Sequence, residues 1–126
     1  MIYILMQRHG GSSIAYSVAQ KMKGACINPP DHEHPEDQVK FVKNIIKSDD
    51  VDVDMILPTN SLTLVYALNN ELLRNPKLKV MAYEILPSGK KIKAIKKHDG
   101  KLWIDESILG HVGDALSAEM NWLINK

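Results

Sequence analysis

The chain contains three short apolar runs, and each is followed by a polar loop and a segment with helical periodicity. The runs cover residues 2–6, 25–27 and 53–57. An apolar run without polar alternation is typical of a strand that is buried on both faces of a parallel sheet. Three successive β-loop-α units therefore predict an α/β fold, in which a parallel sheet forms the middle of three layers.

Residues that favour helix ends set the predicted limits of the helices. The serines at 12–13 suit the N-cap of a first helix, which we expect to end at Gly24 as its C′ residue. Pro35 suits the first turn of a second helix. One of residues 60–61 suits the N-cap of a third helix, which is expected to end near residues 75–76.

Beyond residue 78 the pattern changes from helical to alternating. Three stretches between residues 79 and 104 have strand-like spacing, and turn-forming residues at 87–90 and 98–101 separate them. This pattern is typical of an antiparallel hairpin extension of the sheet. Apolar residues from about residue 113 return at helical spacing and predict a C-terminal helix. We expect residues 1–126 to form a single domain.

Charge and cysteine content narrow the classes of function. The chain has 16 lysine and arginine residues against 15 aspartate and glutamate residues, a net charge of +1. A nearly neutral chain offers no general attraction to nucleic acid or an anionic membrane, so we expect neither as a partner. The lone cysteine, Cys26, leaves no internal disulfide and suits the core of a cytoplasmic protein. No apolar run has the length of a membrane-spanning helix.

The triplet Arg8-His9-Gly10 follows the first predicted strand and resembles the start of the histidine phosphatases. The resemblance implies that His9 is a phosphorylated nucleophile and that Arg8 binds the phosphate. That family also has a second histidine after a later strand and an arginine on a central helix. This chain has His98 in a predicted turn and Thr63 where the arginine would be sought, so a solvated polar loop is the favoured interpretation.

The stretch Gly10-Gly11-Ser12-Ser13 lies between the first predicted strand and the first predicted helix. Backbone N–H groups at the start of a helix bind anions, so this loop is a candidate phosphate cradle. It resembles a P-loop without its lysine, because Gly11 stands where that lysine would precede the serine. Hydrolysis of a nucleoside triphosphate by this loop is therefore not expected.

A longer resemblance begins near the second predicted strand. Residues 25–38 resemble the Walker B and D-loop segment of ABC-type ATPases of the overcoming-lysogenisation-defect and recombination-ATPase kind, in which an apolar strand, acidic residues and a proline precede His-Pro-x-x-Gln. His34-Pro35 and Gln38 match that pattern. Residues 55–61 resemble the next strand and switch loop of the family. The resemblance extends from about residue 24 to the C-terminus.

The same resemblance places unsuitable residues at the positions of the ATPase chemistry. The magnesium-binding acid of the family falls on Ile27, the catalytic acid on Asn28 and the switch histidine on Asn60. Neither isoleucine nor asparagine holds Mg²⁺ and orients water as a carboxylate does. The resemblance thus implies a retained fold and a lost hydrolysis site. An alternative places residues 10–12 in the signature motif that faces the nucleotide of a partner subunit.

The loop Asp31-His32-Glu33-His34 contains two histidines and two carboxylates, which are ligands for zinc. Alternate residues of a loop diverge, and no distant pair of ligands completes the set. We therefore expect a polar surface loop and no metal or other cofactor, with His32 and His34 as the weak metal candidates.

Six lysines cluster near the predicted hairpin: Lys90, Lys91, Lys93, Lys96, Lys97 and Lys101. Contacts with the phosphates of a nucleic acid are one interpretation. A solvated face is the favoured one, since lysines on an edge strand also prevent aggregation.

These features predict a non-catalytic, ATPase-like module that binds and regulates a partner protein, and the resemblance implies an ABC-type ATPase as that partner. A small fragment of this kind would suit a phage or mobile-element regulator, and a homodimer is compatible with it. The alternatives are a small phosphatase that uses His9 and a nucleic-acid-binding module that uses the lysine hairpin. The candidate phosphate- or partner-binding residues follow the predicted strands, where α/β sheets bind ligands: Gly10, Gly11, Ser12, Ser13, Asn28, Asp31, His34, Gln38, Thr59, Asn60 and Ser61.

Overall fold

The order of helices and strands follows the predicted β-loop-α pattern. A computed structural model of the chain describes residues 1–7, 12–47, 53–98, 101–104 and 123–124. Along these residues the elements are β1 (Ile2–Met6), α1 (Ser13–Lys21), β2 (Ala25–Cys26), α2 (Pro35–Lys47), β3 (Met55–Thr59), α3 (Leu62–Arg74), β4 (Val80–Ile85), β5 (Lys91–Lys93), β6 (Ile95–His98) and β7 (Lys101–Ile104). The predicted starts of α2 at Pro35 and of α3 after Ser61 are confirmed.

The main sheet has the strand order β2-β3-β1-β4-β5, with β1 at its centre. β1 pairs in parallel with β3 and β4, so Ile2 lies opposite Met55 on one side and opposite Val80 on the other. β2 is parallel to β3, and β5 is antiparallel to β4. β6 and β7 form a separate antiparallel pair. The α/β fold and its antiparallel extension are thus confirmed.

Helices cover both faces of the main sheet. α2 and α3 pack on the face that carries Ile4 and Leu57, whereas α1 packs on the face that carries Leu5 and Ile56. The chain moves one way across the sheet from β1 to β2 and the other way from β2 through β3 to β4. Right-handed crossovers therefore place α1 on the face opposite to α2 and α3, which gives the three predicted layers.

The parallel orientation of β4 corrects the prediction that residues 79–86 belong to the antiparallel extension. Val80 and Ala82 are buried, while Met81 and Tyr83 are half-buried. The alternation in this strand therefore reflects unequal cover of its two faces rather than antiparallel pairing. α3 carries the chain past β1, and a crossover helix of this kind makes the next strand parallel.

β3 begins and ends two residues later than predicted, and all five of its residues are buried. Pro58 and Thr59, which were expected in the following loop, belong to the strand. Proline lacks an N–H group and is tolerated where no neighbouring strand needs one. The nitrogen of Pro58 faces the side of β2, and β2 has already ended before that position.

β2 is a two-residue strand at the edge of the sheet, and both of its residues are exposed. This corrects the prediction of a buried second strand with Cys26 in the core: the cysteine is exposed. An edge strand has a neighbour on one side only, so its apolar composition does not ensure burial.

Gly24 permits the close approach of β2 to β3 and does not cap α1. The helix ends at Lys21 with Met22 as its C-cap residue, so Gly24 is not the C′ residue that the sequence predicts. Its φ is +145°, and a Cβ atom at this position would lie 2.7 Å from the backbone oxygen of Asp54. The same oxygen accepts a 2.8 Å hydrogen bond from the N–H of Ala25.

None of the described helices is long and apolar enough to cross a membrane. Leu123 and Ile124 are helical, and Leu123 is buried in the core between α2, α3 and the sheet. The rest of the C-terminal helix predicted from about residue 113 lies outside the described residues.

Candidate functional site

The carboxyl ends of β1 and β3 mark the position where this sheet would bind a ligand. From β1 the chain leaves towards β2 by way of α1, and from the adjacent β3 it leaves in the other direction by way of α3. Loops that diverge in this manner leave a crevice at the carboxyl edge of an open α/β sheet. Among the candidate residues that the structure describes, Ser12, Asn28, Asp31, His34, Asn60 and Ser61 lie in loops that follow β1, β2 and β3.

At the end of β1, the side chain of Gln7 caps helix α1. Its Oε1 accepts hydrogen bonds from the N–H groups of Ile14, at 2.8 Å, and Ala15, at 2.9 Å. The N–H of Gln7 donates to the backbone oxygen of Thr59 at 2.9 Å and so joins β1 to β3. Ser12 occupies the N-cap position, but its side chain makes no capping hydrogen bond. The serine cap predicted for α1 is therefore replaced by a glutamine that precedes the loop.

This cap bears on the phosphate cradle predicted at residues 10–13. Free N–H groups at the start of a helix are what an anion binds. Two of those groups in α1 already donate to Gln7, which is only 2% exposed. The predictions for Arg8, His9, Gly10 and Gly11 lie outside the described residues.

Asp31 connects the loop after β2 to the loop after β3. Its Oδ1 accepts a hydrogen bond from Thr59 Oγ1 at 2.5 Å, and its Oδ2 accepts one from the N–H of Asn60 at 3.0 Å. Thr59 Oγ1 in turn accepts from the N–H of Ser61 at 3.0 Å. Both carboxylate oxygens of Asp31 are thus engaged within the chain.

Gln38 extends these contacts to helices α2 and α3. Its Nε2 donates to the backbone oxygen of Glu33 at 2.9 Å, and its Oε1 accepts from Ser61 Oγ. Ser61 Oγ also accepts from the N–H of Leu64 at 3.3 Å and caps α3. We call Asp31, Gln38, Thr59, Asn60 and Ser61 the Asp31 network. The structure brings these five predicted residues together, although they come from a strand, two loops and a helix.

The remaining candidates of this region lie at its surface. His34 caps α2, because its Nδ1 accepts from the N–H of Glu36 at 3.1 Å. Asn28, His32 and His34 are exposed. In the part of the chain that the structure describes, no three histidine, cysteine, aspartate or glutamate side chains come together as a metal site.

The charge of this surface disfavours phosphate. Residues 31–37 contain four carboxylates, those of Asp31, Glu33, Glu36 and Asp37, and no lysine or arginine. Negative charges repel an anionic ligand, and no cation of this segment offsets them.

A second concave region, which sequence reasoning missed, lies between α1 and the turn that joins β4 to β5. This groove has a volume of about 530 Å³ and is lined by Lys21, Lys91 and the serines Ser13, Ser17 and Ser88, together with apolar side chains of α1. No carboxylate is among its lining residues. The lysine cluster was the available sequence signal for a positively charged groove. Lys21, which lines the groove together with Lys91, comes from a helix far away along the chain.

Gln7 is the other residue whose role the sequence did not reveal. It is the first polar residue after the apolar run of β1, and the sequence places it in the polar loop that follows this run. The available signal was a polar residue directly after an apolar run, because such a residue is buried at the end of the strand and needs a hydrogen-bond partner there.

Comparison with protein-family models, with curated proteins and with solved structures gives no match for this chain.

Proposed function

We propose that this chain is a non-hydrolytic, ATPase-like module that binds and regulates a partner protein, and that the partner is an ABC-type ATPase. The observation that carries the first part is the Asp31 network. Its residues lie at the carboxyl edge of the sheet, where α/β folds bind ligands, yet their polar groups hydrogen bond to one another.

Nucleotide hydrolysis needs groups that are free to act on the substrate. A carboxylate has to hold Mg²⁺, backbone N–H groups have to cradle the phosphates, and a cation has to offset their charge. Here the oxygens of Asp31 accept from Thr59 and Asn60, and two N–H groups at the start of α1 donate to Gln7. Ile27 and Asn28 replace the acids of the resembling family. These features support a site that serves structure instead of catalysis.

The same network supports a role in binding. It fixes the loop of residues 28–34 against β3 and α2, while Asn28, His32 and His34 remain exposed. A surface that is already ordered loses little conformational entropy when it binds, which favours association with another protein.

The choice of partner depends on the resemblance of residues 25–38 and 55–61 to ABC-type ATPases. Such ATPases work by bringing two nucleotide-binding surfaces together. A chain that retains the fold but lacks the acids would occupy one of those surfaces without completing a hydrolysis site. Inhibition of the ATPase is the expected consequence.

Isothermal titration calorimetry with Mg²⁺ and ATP tests the non-hydrolytic part. We expect no binding heat in the micromolar range and no release of phosphate. Magnesium-dependent ATP binding at micromolar affinity would overturn the proposal. A parallel assay with a generic phosphomonoester compares the wild type with His9→Ala, and activity that disappears in this variant would favour the phosphatase instead.

The proposal that the chain regulates an ABC-type ATPase is tested on such ATPases purified from the organism that encodes the chain. We expect the chain to lower the ATPase rate of one of them in proportion to the complex formed. The charge reversal Glu33→Lys, at an exposed residue of the loop, should weaken this inhibition. Lys43→Glu, at an exposed residue of α2, is the control that should leave it unchanged. Absence of both binding and inhibition for all of these ATPases would contradict the choice of partner.

A further inference from the structure

The outer edge of β5 offers backbone groups for pairing with another strand. Within the described residues, β4 is the only strand beside β5 in the main sheet. Lys90 accepts at its backbone oxygen from Leu86 at 3.0 Å, and the N–H of Ala94 donates to Ala82 at 2.8 Å. Since alternate residues of an antiparallel strand point their backbone groups to opposite sides, Lys91 and Lys93 direct theirs outwards. No described residue hydrogen bonds to these outward groups.

The side chains of Lys91 and Lys93 lie on one face of this edge. They pair with Ile85 and Tyr83, which pack on the α1 face of the sheet. The Nζ of Lys91 lies 5.3 Å from the centre of the Tyr83 ring, a cation–π contact that holds the ammonium group in place. Residues two apart in a strand are separated by about 7 Å, which equals the spacing of alternate residues in a second strand.

The surroundings of these lysines are positive on the same face. The groove between α1 and the β4–β5 turn adds Lys21 and contains no carboxylate among its lining residues. Glu84, the nearest acidic residue of β4, pairs with Ile92 and therefore lies on the opposite face. Nothing on the α1 face of β5 offsets the charge of the two lysines among the described contacts.

Ile92 adds an apolar position on the other face of the strand. Its side chain is 43% exposed, one of two large apolar side chains in the described residues with such exposure. Along β5, a cation, an apolar residue and a second cation therefore alternate. The two cations lie on one face of the sheet and the apolar residue lies on the other.

We propose that the partner protein adds an extended segment to the outer edge of β5, and that this segment alternates acidic, apolar and acidic residues. This inference rests on the proposed function, because it names the part of the partner that is recognised. The backbone of the segment pairs with Lys91 and Lys93, its two carboxylates face their ammonium groups, and its central apolar side chain covers Ile92. Strand addition obtains affinity from main-chain hydrogen bonds and specificity from alternate side chains.

The same lysines select against a second copy of this chain. Two β5 edges that paired with each other would place ammonium groups side by side, and this like-charge contact disfavours the homodimer. An acidic segment gains the attraction that the second copy lacks.

The probe is a short synthetic peptide that alternates glutamate and valine, with blocked ends and a fluorescent label, and binding is followed by fluorescence anisotropy. We expect the full-length chain to bind it, and the double variant Lys91→Gln/Lys93→Gln to lose about tenfold in affinity, as two exposed charge pairs would. The matched control Lys40→Gln/Lys43→Gln, on α2, removes the same charge and should bind as the wild type does. Ile92→Ser should also weaken binding of the peptide, because it removes the apolar contact on the other face. A peptide with glutamine in place of glutamate should bind the wild type as weakly as the glutamate peptide binds the double variant.

Backbone methylation of the peptide separates strand addition from charge attraction. Methyl groups on the amides of one alternate set should abolish binding, because those amides face β5, and methyl groups on the other set should leave it intact. Equal binding of the two methylated peptides would overturn the inference. Failure of the wild type to bind any of the peptides would overturn it as well. Self-association of Lys91→Gln/Lys93→Gln in that case would show that the two lysines prevent edge-to-edge pairing of β5.

The two proposals fail in different experiments. Titration of ATP with the double variant tests the Asp31 network alone, since β5 lies at the other side of the sheet. A host ATPase that binds the double variant as tightly as the wild type would overturn the β5 inference and leave the regulatory function standing.

Discussion

The Asp31 network and the outer edge of β5 differ in what their polar groups contact. In the Asp31 network the carboxylate, the hydroxyls and the amide bond to one another, and Thr59 is completely buried. At the β5 edge the backbone groups of Lys91 and Lys93 face outwards, and both residues are exposed, with their side chains on the α1 face. The residues that look most like a catalytic motif therefore already hydrogen bond to one another, and the groups free to bind lie where the sequence shows only a lysine cluster.

Burial explains why the two regions differ. A buried polar group that lacks a partner is costly, so the chain has to satisfy Thr59 and Gln38 internally. An exposed lysine stays hydrated and needs no partner inside the chain. We infer that the first region stabilises the fold and that the second can change in sequence without loss of stability.

The largest difference is expected between two glycines, one beside β2 and β3 and one in the turn that leads into β5. Gly24→Ala places a Cβ atom 2.7 Å from the oxygen of Asp54, at a φ of +145°. Such backbone strain costs about 1–3 kcal/mol, and displacement of β3 adds to it, so we expect a loss of about 3 kcal/mol in the free energy of unfolding.

Gly89→Ala, in the turn between β4 and β5, is the matched control for this loss. Its φ is +86°, but a Cβ atom there would meet nothing within 4 Å. Only the conformational penalty remains, and we expect a loss of about 1–2 kcal/mol. Urea unfolding measures both variants, and equal losses would contradict the close packing assigned to β2 and β3.

The next largest effect is expected at Asp31. The variant Asp31→Ala leaves the buried hydroxyl of Thr59 and the N–H of Asn60 without their acceptor, which costs about 2 kcal/mol. Glu33→Ala removes an exposed carboxylate of the same loop and keeps the backbone oxygen that Gln38 contacts, so it should change stability by less than about 0.5 kcal/mol.

A double-mutant cycle then tests whether Asp31 acts through Thr59. Thr59→Val removes the hydroxyl at nearly constant volume. If the contact is structural, the double variant should lose clearly less stability than the sum of the single variants, because the hydroxyl that Asp31→Ala leaves unpaired is then absent. Strict additivity would show that the two residues are not coupled.

Gln7 provides a prediction of intermediate size for helix α1. Gln7→Ala removes the acceptor of two N–H groups and should cost about 1–1.5 kcal/mol, as the loss of a helix cap does. The exposed Gln20 lies on the same helix, and Gln20→Ala is the control that should be neutral or slightly stabilising. If Gln7 also keeps anions from the helix start, sulfate should raise the Tm of Gln7→Ala more than that of the wild type, and an equal rise would contradict this role.

Local signals in the sequence predicted the parts of the fold that depend on local chemistry. Pro35 and Ser61 set the starts of α2 and α3, and apolar periodicity gave the faces of those helices. The choice of Asp31 and Thr59 as candidates followed from their places near the carboxyl ends of predicted strands. Each of these inferences needed only neighbouring residues and the rules for parallel sheets.

The errors arose where the position of a strand in the sheet decides the outcome. Cys26 is exposed because β2 is an edge strand, and no residue near it in the sequence announces an edge. The direction of β4 depends on the path of α3 across the sheet, and the cap on α1 depends on Gln7, which precedes the loop instead of ending it. The groove required Lys21 and Lys91 to meet, although they are far apart along the chain.

The smallest effects are expected at the β5 edge. Lys91→Ala removes the cation–π contact with Tyr83 and should cost about 0.5 kcal/mol, the usual value at an exposed site. Lys93 lies on the same face and has no ring contact within the described residues, so Lys93→Ala should cost less stability than Lys91→Ala does. The variant Tyr83→Leu should abolish the difference between the two lysines. A loss of more than about 2 kcal/mol from either lysine would place it among groups that the fold requires. The ammonium group of that lysine would then interact within the chain and would not be free to bind a partner. In that respect the β5 edge would resemble the Asp31 network.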